Sequence, residues 1–253
     1  MRNPEHWTPT KYVWRRGRLA ASHDAAMLGV GSRLVAGRVA ACYGEYLPRH
    51  ARGRLADLGC GNVPLYGAYG ALVSSVTCVD WAQSHHARRH VDVEADLGAT
   101  LPFANASFDT IVLSDVLEHV AEPEHLWREM ARLLAPGGHA FVNVPFLYGI
   151  HEAPHDYYRY TEFALRRFAE RAGLAVRVLV AVGGSAHVFA DLLAKHLAHV
   201  PALGRPLAIG VQAMVAVLDA TAIGRRAAAR SAARFPLGYF MVVERPGAPA
   251  AVA

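Results

Sequence analysis

The sequence predicts an α/β domain in which a mostly parallel sheet is covered by helices on both faces. Apolar runs with strand character alternate with helical patterns over 54–182, which is typical of parallel strands joined by helices. The chain has 253 residues, 53% of them apolar, so it can bury one large core without disulfides or metal. The first predicted strand runs into the glycine turn Asp57-Leu58-Gly59-Cys60-Gly61, at the edge where such sheets bind ligands.

The boundaries of the predicted elements carry local signals. The apolar face of the helix predicted at 122–134 stops at Pro136-Gly137-Gly138. Thr161 can cap the start of the helix predicted at 161–172, and Gly173 can end it. The first helix is expected over 31–47, within a helical lead-in over 1–50. The further elements are strands at 54–58, 75–80, 90–96, 108–115, 139–146 and 175–182, with helices from about 64, from about 82, at 122–134 and at 161–172.

The last quarter of the chain differs in amino-acid composition from the part before it. Residues 184–232 are rich in Ala, Leu and Val and predict a helical insertion, and 235–244 predict the final strand. No repeat or long linker divides the chain, so 1–253 is treated as one domain, with its core over 53–182. The longest apolar run, 206–218, is too short to predict a membrane span.

Charge and cysteine content restrict the class of protein. Lys and Arg number 26 against 21 Asp and Glu, a small excess that permits nucleic acid without requiring it. Cys42, Cys60 and Cys78 lack metal-ligand spacing and are odd in number, which favours free thiols and a cytoplasmic location. The polar, basic N-terminal stretch has no apolar segment behind it, so no secretory signal is expected.

Three successive predicted strands end in acids. Asp80 ends the second, where a carboxylate can accept both hydroxyls of a ribose, and Asp96 ends the third, where it can accept from an adenine amine. The dinucleotide fingerprint G-x-G-x-x-G has Pro64 at its last place, which argues against NAD. A cofactor with a cationic amino-acid end gains instead from the carboxylate of Asp57.

The order and spacing of five motifs resemble those of the class I S-adenosylmethionine-dependent methyltransferases, especially the group with the type-11 methyltransferase domain. The resemblance spans about residues 53–182 and implies a Rossmann-like, doubly wound, seven-stranded sheet with an antiparallel last strand. The motifs are DLGCG at 57–61, VD at 79–80, EADL at 94–97, LPFANASFDTIVLSDVLEHV at 101–120 and LLAPGGHAFVNVPF at 133–146.

The resemblance implies S-adenosyl-L-methionine as cofactor. It places its methionine end at the glycine turn, its ribose at Asp80, its adenine at Asp96 and its sulfonium near Asp115. The residues expected to bind the cofactor are Asp57, Gly59, Cys60, Gly61, Asp80, Trp81, Asp96, Leu97, Ser114 and Asp115. The chain departs from many relatives at 62–64, which read Asn-Val-Pro.

The loop at 150–160, IHEAPHDYYRY, follows the fifth strand and is expected to face the same crevice. We interpret His155 or His151 as general base, Asp156 as the group that orients an imidazole ring, and Tyr158 as part of the acceptor pocket. A structural alternative is that Asp156 and Arg159 only pair with each other or brace the next helix.

Metal and nucleic acid are weighed as alternatives. Asp115-x-x-Glu118-His119, with His151 or His155, resembles the acid-x-x-Glu-His site of metal-dependent small-RNA and quinone methyltransferases. The same Leu-Glu-His-Val stretch occurs in metal-free members, so no metal is predicted. Nucleic acid is not favoured as acceptor, because no Asp-Pro-Pro-aromatic motif follows the fourth strand.

The predicted function is methyl transfer from S-adenosyl-L-methionine to oxygen or nitrogen of a small molecule, such as a sugar, a lipid-linked glycan or a secondary metabolite. The alternatives are a cofactor-binding regulatory module without catalysis, a metal-assisted methyltransferase and, third, a dehydrogenase. The insertion is interpreted as a cap over the acceptor pocket or a homodimer face. A second interpretation is peripheral membrane contact through 206–234, helped by the arginines at 225–234.

Overall fold

The computed structural model describes residues 1–84, 86 and 88–247. A two-stranded N-terminal hairpin precedes a seven-stranded sheet, and helices cover both faces of that sheet. The strands are β1 (Tyr12–Arg15), β2 (Arg18–Ala21), β3 (Arg54–Leu58), β4 (Ser75–Asp80), β5 (Val93–Glu94), β6 (Phe108–Ser114), β7 (Leu134–Pro145), β8 (Ala175–Val182) and β9 (Gly238–Glu244). The helices are α1 (Arg33–His50), α2 (Tyr66–Tyr69), α3 (Pro123–Leu133), α4 (Glu162–Arg171), α5 (Ser185–Leu197), α6 (Gly204–Ala220) and α7 (Ala222–Ala232).

The order of the large sheet is β5-β4-β3-β6-β7-β9-β8. Strands β3 to β7 pair in parallel, whereas β9 is antiparallel to both β7 and β8. The predicted seven-stranded sheet with an antiparallel last strand is therefore confirmed. The parallel strands bring the residues that follow β3, β4 and β6 to one edge, where the glycine turn lies.

Alternating residues of the central strands separate two cores. Ile111 packs with α3 and α4 on one face of the sheet, while the next residue, Val112, packs with α1 on the other. Both sides are buried, which is why β3 and β6 have near-continuous apolar sequences. The predicted cap and stop of α4 are also confirmed: Thr161 Oγ1 accepts the Ala164 N–H at 3.3 Å, and Gly173 has a φ of 71°.

Two predicted connecting helices are short or missing. The helix expected from about 64 has only the four residues of α2, because Gly67 and Gly70 weaken helical propensity there. None forms among the described residues of 81–90, which are polar and lack an apolar period. These connections run as turns at the ligand-binding edge instead of covering the sheet.

The N-terminal lead-in is α-helical only from Arg33, so the expectation of a helical 1–50 is wrong for the hairpin. Arg16 and Gly17 both have positive φ, 49° and 73°, which is the turn geometry that matches the twist of two-residue hairpins. The Trp7 indole N–H donates to the Val63 carbonyl at 3.0 Å. The segment before the hairpin is thereby fixed beside the glycine turn.

The helical insertion forms a layer of its own beside α1. Asp219 of α6 accepts hydrogen bonds from Arg38 of α1 at 3.2 Å and from His187 of α5 at 3.0 Å. Gln212 of α6 donates to the Val30 carbonyl at 2.7 Å. These contacts attach the insertion to the N-terminal region.

Among the described helices, no single one is both long and apolar enough to cross a bilayer. Helices α6 and α7 reach the required length and hydropathy only when they are taken together, and a bend of 102° separates them.

The junction of α1 with the sheet yields a stability prediction. Phe240 in β9 is fully buried, with its ring 4.9 Å from that of Tyr43 and 5.6 Å from that of Tyr46. Phe240→Ala is expected to lower the free energy of unfolding by about 3–5 kcal/mol because it leaves a cavity between helix and sheet. Chemical denaturation measures the loss. The exposed Phe163→Ala is the control, and it should change stability by less than about 0.5 kcal/mol.

Candidate active site

The glycine turn places main-chain atoms without side chains at the carboxyl end of β3. The N–H groups of Gly59 and Cys60 donate to the Val79 carbonyl at 2.8 and 3.1 Å. Gly59 has a φ of 70°, and a Cβ there would lie 2.5 Å from a methyl carbon of Val116. Gly61 also has positive φ, 51°, and its N–H donates to Asp80 at 2.9 Å. Glycine is required at position 59 by both conformation and space.

The first of two adjoining cavities, here called the strand-end cavity, has a volume of about 420 Å³. Asp80 and Trp81, which follow β4, line it together with Asp96 and Leu97, which follow β5. Each oxygen of Asp80 accepts one backbone N–H, from Gly61 at 2.9 Å and from Trp81 at 2.8 Å. A carboxylate oxygen can accept a second hydrogen bond. The side chain is therefore fixed and still able to bind a pair of hydroxyls.

Asp57 differs from the prediction. Its carboxylate is 4% exposed, accepts the Tyr69 hydroxyl at 2.6 Å, and is not among the residues that line either described cavity. Burial raises the pKa of Asp57 from its ordinary 3.8 to about 7. The Asp57 side chain points from β3 into the core, where it binds Tyr69 beneath the glycine turn. It therefore does not contact the cavity.

The second cavity, here called the hairpin cavity, has a volume of about 360 Å³ and lies between the glycine turn and the N-terminal hairpin. Its polar lining includes Lys11, Ser114, Asn143 and His151. Its apolar lining comes from the N-terminal segment, α1 and the ends of the sheet: Tyr12, Ala26, Met27, Val35, Ala36, Val39, Val144, Val182 and Leu237. Cys60 and Gly61 also border this cavity, so the predicted cofactor residues are divided between the two.

Asp115 lies between the two cavities and lines both. It has a left-handed backbone with a φ of 56°, and its N–H donates to the Asn143 carbonyl at 2.9 Å. One carboxylate oxygen accepts from the Asn143 amide at 2.5 Å and the other from Lys11 at 2.7 Å. Burial lowers the pKa of Lys11, but the Asp115 carboxylate outweighs this effect, so the pKa is raised and the amine stays charged.

Gly59, His86 and Glu152 also line both cavities. His86 Nε2 lies 3.7 Å from Glu152 Oε1, and this carboxylate raises the pKa of His86. The pair connects the turn after β4 with the loop at 150–160. A ligand in one cavity therefore meets a ligand in the other beside Gly59 and Asp115.

Glu118, His119 and His151 form a cluster between the two cavities, with Glu118 and His151 on the hairpin cavity and His119 on the strand-end cavity. The two Nε2 atoms are 3.1 Å apart, and Glu118 Oε1 lies 3.8 Å from that of His119 and 3.7 Å from that of His151. His119 Nδ1 contacts the His155 carbonyl at 2.8 Å, so its Nε2 lone pair points into the cluster. Glu118 is fully buried, and neither of its oxygens accepts a hydrogen bond from a described residue.

The charges of this cluster depend on one another. Burial raises the pKa of the Glu118 carboxyl, and the nearby Glu118 oxygen in turn raises the pKa of His151. Two imidazole lone pairs that face each other at 3.1 Å repel unless a hydrogen or a cation lies between the two nitrogens. The cluster therefore has a strong affinity for a proton or another cation.

The candidates of the loop at 150–160 take different positions. His151 lines the hairpin cavity, whereas His155 lines the strand-end cavity with its ring 5.1 Å from that of Trp81. Asp156 forms the alternative pair with Arg159, at 2.5 and 2.7 Å, and also lies 3.4 Å from His151 Nδ1. Tyr158 donates its hydroxyl to the Ala121 carbonyl at 2.9 Å and is not among the residues lining either cavity.

The prediction that Tyr158 shapes the pocket is thus not supported by its placement, because its hydroxyl holds the loop to the chain before α3. Sequence reasoning also missed Lys11, His86 and Asn143. A hairpin signal was present at 12–21, where strand-forming residues flank Arg16-Gly17, and it would have brought Lys11 toward the site. No local signal pairs Lys11 with Asp115, which is 104 residues away.

Comparison with known proteins agrees with this geometry. Residues 56–142, which include the glycine turn, Asp80, Asp96 and Asp115, match the family model described as methyltransferase domain. Residues 56–142, about a third of the chain, therefore belong to a class I S-adenosylmethionine-dependent methyltransferase domain. The strand-end cavity fits that cofactor, because Asp80 has free acceptor capacity for a ribose and a Cβ at Gly59 would fill the backbone cradle.

Several curated relatives of this part of the chain are named ubiquinone biosynthesis O-methyltransferase, and another is named biotin biosynthesis bifunctional protein BioHC. The ubiquinone biosynthesis O-methyltransferase of Xanthomonas euvesicatoria is 34% identical over 106 residues, which cover 37% of this chain and 43% of the relative. The protein of the same name from Chromobacterium violaceum is 27% identical over 172 residues, 55% of this chain and 73% of the relative. The chain thus spans under half the length of the first of these relatives.

Solved structures similar to the methyltransferase domain share its fold. The [4+2]-cyclase SpnF has a TM-score of 0.55 at 19% identity, with 95% of this chain and 87% of SpnF covered. An S-adenosylmethionine-dependent methyltransferase from Mesorhizobium loti has a TM-score of 0.52 at 16% identity, with 84% and 100% covered. At these identities the similarity establishes the fold alone.

Asp57 yields a prediction about pH in the methyltransferase domain. The folded protein keeps its Asp57 proton up to about pH 7, whereas the unfolded chain releases it near 3.8, so this residue lowers stability as pH rises through that window. Asp57→Asn should therefore gain stability relative to the wild type by up to about 1.4 kcal/mol per pH unit. Denaturant unfolding at several pH values measures this difference. Parallel stability curves for the two proteins would contradict the assignment.

Proposed function

We propose that the protein transfers a methyl group from S-adenosylmethionine to a hydroxyl oxygen of a small, largely apolar molecule held in the hairpin cavity. The observation that supports this most directly is the contact of two cavities beside Gly59 and Asp115. One cavity has the strand-end carboxylates that suit a nucleoside, and the other has an apolar wall with an imidazole at its base. The relatives named O-methyltransferase favour oxygen over nitrogen as the methylated atom.

The cofactor supplies a methyl group on a sulfonium that leaves as a neutral thioether. In this proposal Asp80 holds the ribose hydroxyls, and Asp96 with Leu97 lies beside the adenine. Trp81 forms part of the wall of the same cavity. These residues fix the donor, because alignment of nucleophile, methyl carbon and sulfur provides much of the rate of an in-line displacement.

The residues around Asp115 set the charge where donor and acceptor meet. Its carboxylate is neutralised by Lys11 and held by Asn143, so it remains fixed as the ligands bind. The hairpin that carries Lys11 forms a wall of the acceptor cavity. In this proposal Lys11 acts as a positioning residue and excludes water from the transfer site.

His151 is proposed as the general base. Its Nδ1 lies 3.3 Å from the Gly149 carbonyl and 3.4 Å from Asp156, so Nδ1 carries the hydrogen. Its Nε2 then accepts the proton of the acceptor hydroxyl and shares it with His119 Nε2, 3.1 Å away. Glu118 then stabilises the imidazolium at 3.7 Å. The acceptor oxygen forms its bond to the methyl carbon as the carbon–sulfur bond breaks, and the proton stays on His151 until solvent removes it.

Methyl-labelled S-adenosylmethionine and metabolite extracts, analysed by mass spectrometry, test the activity. Labelled product with a new methoxy group is expected. With that acceptor, His151→Ala should lower kcat by about 10²–10⁴-fold, because the proton then has no acceptor. The affinity for S-adenosylhomocysteine, measured by calorimetry, should be unchanged.

Two further variants serve as controls for this prediction. Asp80→Ala should weaken S-adenosylhomocysteine binding, and His155→Ala, on the strand-end side, should leave proton removal intact. A His155→Ala loss as large as that of His151→Ala would contradict the assignment of the base. A protein that binds S-adenosylhomocysteine but labels nothing would instead be a regulatory module without catalysis.

A second candidate is metal-assisted transfer, favoured by the Glu118, His119 and His151 cluster. A point equidistant from its three ligand atoms lies about 2.1 Å from each, which is the bond length that Zn²⁺ makes with imidazole and carboxylate. The Nδ1 atom of each ring contacts a carbonyl, which is the usual orientation of metal-bound histidines. A cation here would also satisfy the unpartnered Glu118.

Calorimetric titration with Zn²⁺ and Mn²⁺ tests the metal candidate without an acceptor. One ion per chain is expected to bind the wild type, and His119→Ala should weaken that binding by at least about tenfold, since it removes one of three ligands. His196→Ala, an exposed histidine on α5, is the matched control and should bind as the wild type does. If no ion binds at one per chain, the cluster serves proton transfer alone.

A further inference from the structure

Helix α6 exposes an apolar face over most of its circumference. Only one narrow stripe, which includes Gly204, Ala208 and Val215, is buried against neighbouring helices. The opposite stripe contains Leu207, Met214 at 59% exposure and Val217 at 67%. Between Pro206 and Leu218 no residue of α6 is charged. A surface helix of a globular protein normally has polar residues on its outer face.

The apolar surface continues onto the flanking segments. Ile223 at the start of α7 is 81% exposed. Further large side chains with exposed surface on the insertion are Phe189, Leu193, Val200, Leu203, Ile209 and Leu218, and Phe235 follows it. Exposed apolar surface of this extent marks an interaction site.

The exposed face of α7 adds positive charge beside this surface. Arg226 and Arg230 of α7 and Arg234, just after the helix, recur every four residues and are all exposed, and Ile223 lies on the same side of the helix as Arg226 and Arg230. From residue 192 to residue 243 the only acid is Asp219, and it is held by Arg38 and His187. Asp191, the other acid of the insertion, is buried and paired with Lys195, so no exposed carboxylate of the insertion opposes these arginines.

We propose that α6 and α7 dock on an anionic lipid bilayer and lie in the plane of its interface. Leu207, Met214 and Val217 enter the acyl boundary, while Arg226 and Arg230 contact the acidic headgroups. This combination of an apolar helix face with arginines at its margin is what interfacial helices present to anionic lipid. The 102° bend between α6 and α7 suits a surface position, since each helix can follow the membrane plane in a different direction.

Charge complementarity favours lipid over a second copy of the chain. In a symmetric pair formed through this face, the same arginines would approach each other without an acidic counterpart in the insertion. An anionic bilayer supplies that counter-charge over the whole face.

The apolar face of α6 lies near the hairpin cavity. If the proposed function is right, docking on lipid would therefore bring the acceptor cavity to the membrane. Gln212 of α6 binds the Val30 carbonyl, close in the chain to Ala26 and Met27, which line the hairpin cavity. Lys195 of α5 lies 3.8 Å from the ring centre of Tyr148, another lining residue. A bilayer on this face would hold the cavity near apolar acceptors dissolved in lipid.

Vesicle co-sedimentation of the full chain tests the docking without any methyl transfer. Vesicles of phosphatidylcholine with phosphatidylglycerol are expected to bind the wild type, and phosphatidylcholine alone much less. Arg226→Gln with Arg230→Gln should weaken binding by roughly 25-fold, on the basis of about fivefold for each basic residue at an anionic surface. Met214→Ser with Val217→Ser should weaken it by at least about tenfold.

Matched substitutions elsewhere control for charge and folding. Arg128→Gln with Arg167→Gln removes two exposed arginines from α3 and α4, and Phe163→Ser removes an exposed apolar side chain from α4. Both controls should bind vesicles as the wild type does. Unchanged S-adenosylhomocysteine binding shows that each variant is folded.

Several results would overturn the docking proposal. They are absence of wild-type binding to anionic vesicles, equal binding to neutral vesicles, and equal losses in the test and control variants. Light scattering provides a further test. A wild-type dimer that becomes a monomer on Met214→Ser with Val217→Ser would assign the face to a second copy of the chain.

Discussion

The left-handed turn at Asp115 is the constraint on which the site depends. It directs one carboxylate to Lys11 of the N-terminal hairpin and to Asn143 of β7, so three distant parts of the chain meet at one residue. Val116, the next residue, closes against Gly59, where no side chain fits. A non-glycine residue with positive φ costs free energy, and the surrounding hydrogen bonds offset this cost. Both cavities take their common wall from this arrangement.

The fold itself does not select a reaction, since a cyclase and a methyltransferase share it with this chain. Selection must therefore come from the hairpin, the loop at 150–160 and the helical insertion. In this chain the hairpin region supplies Lys11, the loop at 150–160 supplies His151, and the insertion supplies an exposed apolar surface. Glu118, which follows β6 and contacts the loop at 150–160 through His151, is unfavourable on its own, because a desolvated carboxylate needs a compensating cation or proton.

Elements with a strong period or a backbone requirement could be predicted from the sequence, and contacts between distant segments could not. The amphipathic pattern of 122–134, the cap at Thr161 and the glycine turn are local properties, so their positions followed from the residues alone. The strand-end acids were placed together by topology, yet the inward rotation of Asp57 depends on packing against Tyr69. Likewise, nothing local separates His151 from His155 or brings Lys11 to Asp115.

The position of β9 has a consequence for how the chain is made. This strand fills the gap between β7 and β8, but it leaves the ribosome only after the whole insertion has been synthesised. Until then β8 has no sheet neighbour and β7 has a bare edge, which is the kind of surface that invites association between nascent chains. The exposed apolar helices emerge during that same interval. Completion of the sheet is therefore a late event, governed by sequence separation rather than by local preference.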